Sequence, residues 1–147
     1  MKFTKTLLTT ALFSFSVFST TQMAYANSAQ ETQLQQGFEA AQRGDFATAL
    51  QLWKPLAERG HAKAQYNLGV MYKNGQGVKQ DDFQAVKWYQ KAAEQGNAQA
   101  QAMLGAMYTL GQGVKQDRNL AKMWAGKACE NGEQKGCDLY RILNEGK

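Results

Sequence analysis

The sequence predicts an all-α protein, a short solenoid of antiparallel helix hairpins closed by a C-terminal capping helix. Two observations predict this class. Residues 60–95 and 96–131 are consecutive 36-residue segments that are identical at 20 positions when aligned without a gap. Apolar residues in both segments recur at three- to four-residue spacing between Gly-containing turns, which indicates short helices. Self-similarity at a fixed period of this length is typical of a repeat array.

The first 26 residues have the pattern of a secretory signal peptide. Lys2 and Lys5 precede an uncharged, mostly apolar stretch at residues 7–18, and the tripeptide Ala-Tyr-Ala at residues 24–26 is a small-x-small cleavage signal. We expect cleavage after Ala26 and a periplasmic or secreted bacterial protein. The alternative is an uncleaved anchor, although the apolar stretch is shorter than the ~20 residues that span a bilayer.

The charge of the remaining chain does not favour nucleic acid as a partner. Because Lys2 and Lys5 fall in the signal segment, the rest carries 15 Lys and Arg against 12 Asp and Glu. These charges are scattered singly along the predicted helices and form no basic stripe of the kind that nucleic-acid binding uses. No stretch after residue 26 is apolar enough to predict a membrane span.

Residues 27–59 are predicted to form a first helix hairpin. A polar lead-in at residues 27–33 precedes the helical pattern, which begins at Leu34. A turn follows, in which Asp45 can cap the next helix. Pro55 lies inside that second helix and should kink it or begin a new turn, because proline removes an intrahelical hydrogen bond.

Each 36-residue segment is predicted to contain two helices joined by a longer loop. The expected helices cover about residues 62–73, 82–95 and 98–110, and from residue 118 to residue 130, with Asp81 and Asp117 as N-caps of the second helix in each pair. A lone helix follows in residues 132–147. Its apolar residues can cover the open end of the stack; they are Leu139, Tyr140, Ile142 and Leu143.

The loops contain Gly75-Gln76-Gly77 in the first copy and the same tripeptide in the second. A Gly-rich loop can cradle phosphate, but a dinucleotide fingerprint needs a preceding strand and a third glycine. These loops join two helices instead. We therefore expect the glycines to adopt positive φ in a helix–helix turn.

The repeated pattern A-x-A-Q-x-x-L-G-x-M-Y, then G-x-G-V-x-x-D, A-x-x-W and K-A, resembles the Sel-one-like repeat, a subclass of the tetratricopeptide-repeat superfamily. The resemblance covers residues 60–131 fully, and residues 27–59 look like a tetratricopeptide-type unit without the long loop. It implies a right-handed superhelix whose first helices line a concave face. It also implies a role in holding partner proteins, and many bacterial members are secreted or periplasmic.

Comparison of the two copies divides the first helix of each into a constant and a variable face. The identical positions have the character of packing positions, whereas the differing positions follow one continuous helical face. One interpretation is that this face only meets solvent; the other is that it contacts a partner, which the apolar side chains of Met103 and Leu110 favour. The candidate partner-binding residues are Lys63, Tyr66, Asn67, Val70, Lys73, Asn74, Gln99, Met103, Ala106 and Leu110.

Two cysteines, Cys129 and Cys137, flank the turn at residues 132–133. An antiparallel hairpin would bring them close enough for a disulfide, and an even cysteine count in an exported chain supports one. A redox-active pair is the alternative, but the C-x-x-C spacing is missing. His61 is the one histidine, and we expect it to be exposed at a helix start and not a metal ligand.

The sequence gives little support to catalysis. Ser28 is the one serine after residue 26, and no Ser-x-x-Lys motif is present, so the β-lactam binding or hydrolysis suggested for some cysteine-rich relatives lacks its motif here. We expect no cofactor, no metal and no enzymatic activity. The leading hypothesis is a monomeric interaction scaffold for a protein or peptide, and the second is a secreted factor that contacts host cells.

Overall fold

The computed structural model describes the backbone of residues 8–146 and the side chains of residues 20–146. Over this range the chain forms seven helices and no strand. The helices are α1 (Leu8–Gln42), α2 (Phe46–Glu58), α3 (Ala62–Asn74), α4 (Asp82–Glu94), α5 (Ala98–Leu110), α6 (Arg118–Glu130) and α7 (Gln134–Glu145).

Helices that follow one another in sequence pack against each other. The pairs α1–α2, α3–α4 and α5–α6 form three hairpins, and contacts of α2 with α3 and of α4 with α5 stack these hairpins into a solenoid. Helix α7 packs on α6 and also on α5. The predicted all-α solenoid with a C-terminal capping helix is therefore confirmed.

The helix ends are fixed by capping residues. Asp81 and Asp117 are the N-caps of α4 and α6, and their carboxylates accept hydrogen bonds from Gln84 N (3.0 Å) and Leu120 N (3.0 Å). Asp45 caps α2 in the same way, and hydrogen bonds from the side chain and backbone of Thr48 lower the pKa of its carboxyl group. These side chains satisfy amides that a helix leaves unpaired in its first turn.

A buried glutamine on α3 connects three helices. Gln65 is 4% exposed, and its Nε2 donates to Ala57 O near the end of α2 (3.1 Å). Its Oε1 accepts from Gln95 Nε2 at the end of α4 (2.7 Å). Gln101 occupies the same place one repeat later and is 3% exposed. A buried amide that uses both its donor and its acceptor holds the surrounding helices at fixed separations.

Small residues let the two helices of each hairpin approach closely. A Cβ added at Gly69 would lie 2.5 Å from the ring of Tyr89, which is fully buried. In the third hairpin the equivalent of Tyr89 is Ala125, and α7 supplies the missing volume: Leu139 Cδ2 would lie 3.2 Å from a Cβ at Gly105. The capping helix therefore completes the core of the last hairpin.

The two long loops dock on the hairpin before them. Gly77 has φ +68°, and a Cβ there would lie 2.8 Å from Phe46 O at the start of α2. Gly113 has φ +66°, and a Cβ there would lie even closer to Asp82 O at the start of α4. Positive φ and lack of space both require glycine at these positions, which confirms the structural interpretation of the loops.

The N-terminal helix departs from expectation. Residues 27–33 belong to α1, so the predicted lead-in is wrong; Gln33 Nε2 donates to Leu52 O of α2 (2.8 Å) and ties this part of the helix to the hairpin. Lys2 and Lys5 of the predicted signal peptide lie outside the described residues. Within the described part of the chain, no helix has the length and apolarity needed to cross a bilayer.

Pro55 was expected to kink its helix or to begin a new turn. It lies inside α2, which continues to Glu58, so it begins no new turn.

Four apolar residues were expected to cover the open end of the stack. Leu143 of α7 is buried and Leu139 is half-buried. Tyr140 and Ile142, in contrast, are 41% and 45% exposed, because they flank the face of α7 that Leu139 and Leu143 bury, so these two cover the end of the stack only in part.

A disulfide joins Cys129 in the last turn of α6 to Cys137 in the first turn of α7, with a Cα–Cα distance of 4.5 Å. The bond closes a short loop, which in a chain-entropy estimate stabilises by roughly 2–3 kcal/mol. Because α7 packs on α5 and α6 among the described residues, the disulfide secures the helix that completes the last hairpin.

Gln101→Leu is expected to lower the free energy of unfolding by about 1–2 kcal/mol, because it removes the bonds to Ala93 O (3.0 Å) and Asn131 Nδ2 (2.9 Å). Gln99→Leu, an exposed change on the same helix, should alter it by less than about 0.5 kcal/mol. Urea unfolding followed by circular dichroism measures both. Equal effects of the two changes would contradict the structural role of the buried amide.

Tyr89→Phe is expected to stabilise the protein by about 1 kcal/mol at neutral pH, since the buried hydroxyl has no hydrogen-bond partner among the described residues. Burial, with smaller contributions from Tyr66 and Asp82, raises the pKa of Tyr89 above its ordinary value of 10.0. In the unfolded chain this tyrosine ionises from about pH 10, whereas in the folded protein it stays neutral to a higher pH. The free energy of unfolding is therefore unaffected by this group below about pH 10 and falls as the pH rises towards the raised pKa.

The variant should therefore lose less stability above pH 10 than the parent protein in urea titrations at a series of pH values. Tyr140→Phe removes a partly exposed hydroxyl and serves as the matched control, with a change of less than about 0.5 kcal/mol at neutral pH. A Tyr89→Phe protein that is less stable than the parent would show that the hydroxyl is bonded in solution.

Candidate functional site

A cavity of about 370 Å³ lies where α1, α2 and α3 meet. Its size falls in the range of pockets that bind small ligands or single side chains. Three of the candidate residues predicted from the comparison of the copies line one wall: Tyr66, Asn67 and Val70. The facing wall consists mainly of aromatic residues from α1 and α2, namely Phe38, Phe46 and Trp53.

The aromatic wall is held in place by its own contacts. Trp53 is 4% exposed, and its Nε1 donates to Leu34 O of α1 (3.0 Å). The Phe38 ring stands edge-on to the Trp53 ring, with centroids 5.2 Å apart and an angle of 70° between the planes, an arrangement that aromatic pairs prefer. A ligand therefore meets a surface whose side chains are already positioned.

Asn67 is the polar residue of this wall whose hydrogen bonding is incomplete. Its side chain is 7% exposed, and Nδ2 is buried with no hydrogen-bond partner among the described residues. Buried amide groups are nearly always paired in folded proteins, because an unpaired donor has lost its water without replacement. Asn67 is therefore the polar group of this wall that still has hydrogen-bonding capacity to satisfy.

Tyr66 connects the cavity to the core of the next hairpin. Its ring lies 5.8 Å from the ring of Tyr89, centroid to centroid. Burial, and to a smaller extent the charge of Glu133, raises the pKa of Tyr66. Its hydroxyl therefore stays protonated at neutral pH and can donate a hydrogen bond.

The other candidate residues differ widely in exposure. Met103 and Val70 pack against the core around Tyr89, so packing explains the apolar side chain of Met103 without a partner. Leu110 is 65% exposed, and no packing explains it. Across the whole set, Asn67 is buried; Tyr66, Val70, Lys73, Met103 and Ala106 are half-buried; Lys63, Asn74, Gln99 and Leu110 are exposed.

His61 is not exposed, contrary to the prediction. Its side chain is 17% exposed, and Nε2 lies 3.4 Å from Glu31 Oε1. The reason is the unexpected length of α1, which places Glu31 over the start of α3. Within the part of the chain that the structure describes, His61 and the acidic or sulfur-containing side chains form no cluster of three that could hold a metal ion.

The aromatic wall is the part of the site that the sequence comparison missed. Phe38, Phe46 and Trp53 belong to the first hairpin, which lacks the long loop and was not aligned with the two full copies. Asn67 was the one signal of this site in the sequence, because it is polar whereas the equivalent residue of the second copy, Met103, is apolar. Gln76, in the loop after α3, also lines the cavity.

Comparison with solved structures supports a repeat solenoid. A protective antigen of uropathogenic Escherichia coli with an SLR fold is similar at 38% identity and a TM-score of 0.70, and the match covers 78% of this chain and 26% of the antigen. A Sel1 repeat protein from Oxalobacter formigenes is similar at 32% identity and a TM-score of 0.72, and the match covers 80% of this chain and 49% of that protein. Cysteine rich protein B of Helicobacter pylori matches 76% of this chain and 94% of its own at 22% identity and a TM-score of 0.61, a likeness of fold alone.

Curated relatives match over shorter stretches. An exopolysaccharide production negative regulator of Rhizobium leguminosarum bv. viciae is 42% identical over 53 residues, 36% of this chain and 20% of the regulator. This chain thus spans a fifth of the length of that relative. The Sel1 repeat family matches residues 34–61, 62–97 and 98–133. Because these matches cover more than half of its length, the chain belongs to the Sel1 repeat family.

Proposed function

We propose that this protein is an exported, non-enzymatic scaffold that binds a peptide or a modest protein surface on the face formed by α1, α3 and α5. The observation that carries the proposal is the cavity in which Tyr66, Asn67 and Val70 face a preformed aromatic wall. Sel1 repeat proteins generally mediate protein–protein interactions and are generally non-enzymatic scaffolds, which supports this function over catalysis.

The docking face, as we define it, consists of the cavity together with the exposed candidate residues Lys63, Asn74, Gln99 and Leu110. Leu110 is the apolar residue of the set outside the cavity: 65% of its surface is open to solvent, and its burial by a partner would be favourable. Asn74 stands at the same place one repeat earlier. With two full repeats, the face suits a short segment better than a large assembly.

Export of the protein is the second part of the proposal. The pattern of residues 1–26 supports a signal peptide that is cleaved after Ala26. The disulfide between Cys129 and Cys137 also supports export, since such bonds persist in oxidising compartments. The side chains at 20–29 are exposed or nearly so, so cleavage within this part of α1 would remove little packing.

Contact with host cells is a second candidate function. It is favoured by the 38% identity to a protective antigen of uropathogenic Escherichia coli, although that likeness covers 26% of the antigen. The two functions require different locations of the mature chain, because a host-facing factor must leave the bacterium. Recovery in the periplasmic fraction alone would exclude the host-facing function.

Leu110→Asp is expected to abolish capture of a specific partner, because it places a charge on the apolar part of the docking face. Met123→Asp is the matched control, since Met123 is a 41% exposed apolar residue of α6 outside that face. The measurement compares proteins captured from an envelope extract by the parent protein and by both variants, with circular dichroism as a check on folding. Proteins held equally by all three would contradict the proposed face.

Expression of the full chain with its first 26 residues is expected to yield a periplasmic protein that begins at Asn27. Its intact mass should lack the signal segment and the two thiol hydrogens of Cys129 and Cys137. Mass spectrometry of an osmotic-shock fraction, before and after reduction, measures both changes. A full-length chain that stays with the membrane would contradict cleavage, and free thiols in the periplasmic protein would contradict the disulfide.

A further inference from the structure

We propose that the cavity between α1, α2 and α3 selects one large uncharged side chain, aromatic or aliphatic, from an extended peptide, while the Asn67 amide bonds the peptide main chain next to it. This inference rests on the proposed function and specifies its ligand. It assigns the recognition of one residue type to the first junction of the array, which is the contact between the first hairpin (α1 and α2) and α3.

The volume of the cavity limits what can enter it. About 370 Å³ accommodates one aromatic side chain and part of its backbone, and it is too small for a folded element. The ring edges of Phe38 and Trp53, together with the side chain of Val70, offer apolar contacts on two sides. Transfer of an apolar side chain from water into such a site is favourable.

The wall of the cavity carries no charge. None of its lining residues is Asp, Glu, Lys, Arg or His. A charged side chain would lose its water there and gain no partner of opposite sign, which is costly. The cavity therefore selects against acidic and basic residues, and this selection separates it from a site for carboxylates or phosphates.

Asn67 provides the polar half of the recognition. A peptide unit presents one acceptor and one donor, and a side-chain amide presents the complementary pair. Because the oxygen and nitrogen of an amide occupy equivalent places after a half-turn of the group, the unpaired Nδ2 can be turned to a main-chain carbonyl. Such a bond gives Nδ2 the acceptor that it lacks among the described residues, and Oδ1 then takes the buried position.

The second junction of the array lacks these properties. Met103 stands at the place of Asn67 and packs on the core around Tyr89, so no amide is available there. The amide of Asn67 thus has no counterpart at the second junction, and one anchoring side chain per peptide is expected.

The test uses three capped amino acids as probes in ¹H–¹⁵N NMR titrations of the mature protein. N-acetyl-L-phenylalanine methylamide should cause saturable shifts of the Asn67 side-chain amide and of the Val70 backbone amide. The corresponding alanine and glutamate probes should cause no saturable shift at these groups. Equal shifts from all three probes, or saturable shifts confined to other residues, would overturn the proposal.

Two variants test the polar and the apolar part of the pocket separately. Asn67→Leu should weaken binding of the phenylalanine probe about tenfold, the equivalent of one hydrogen bond. Gln42→Trp, an exposed change at the rim, should fill the cavity and abolish binding. Asn144→Leu, an exposed change on α7, is the control and should leave binding unchanged. Unaltered binding in both pocket variants would refute the assignment.

The outcomes also separate this inference from the proposed function. Loss of partner capture in Leu110→Asp without any saturable shift at Asn67 would refute the pocket and leave the docking face. Saturable binding at Asn67 with capture unaffected by Leu110→Asp would support the pocket and refute the wider face. Urea unfolding of each variant shows whether a loss of binding results from a loss of folding.

Discussion

One buried glutamine per repeat sets the spacing of the helices. Gln65 holds the end of α2 with its donor and the end of α4 with its acceptor, and Gln101 does the same one repeat later. Neither atom can change partner without leaving a buried group unpaired. The placement of α3 against α2, and with it the shape of the cavity that both helices line, therefore depends on an interaction outside the cavity.

The sequence predicted the repeat helices well because their ends are determined locally. Asp81 and Asp117 cap the helices that follow them, and Gly75 and Gly111 adopt the left-handed conformation that ends α3 and α5. The start of α1 was missed for a physical reason. A helix that extends beyond its neighbours needs no apolar face, so its sequence lacks the periodicity that identifies packed helices.

The candidate site was predictable only in part. Comparing the copies selected Asn67 and Met103 as variable, but variation arises from differences in packing as well as from binding. Met103 varies because it fills the core around Tyr89, whereas Asn67 lies beside a cavity that the aromatic rings of another hairpin complete. His61 was misjudged likewise, since its burial depends on Glu31 in a distant part of the sequence.

The docked loops make the two ends of the stack different from each other. Gly77 rests on α2 and Gly113 on α4, each against the hairpin that precedes it. The first hairpin turns from α1 to α2 within residues 43–45 and has no loop to place on anything before it. The first hairpin therefore receives a loop from the unit after it but does not itself provide one. Duplication of a complete loop-bearing unit would lengthen the array with the same joint at each step.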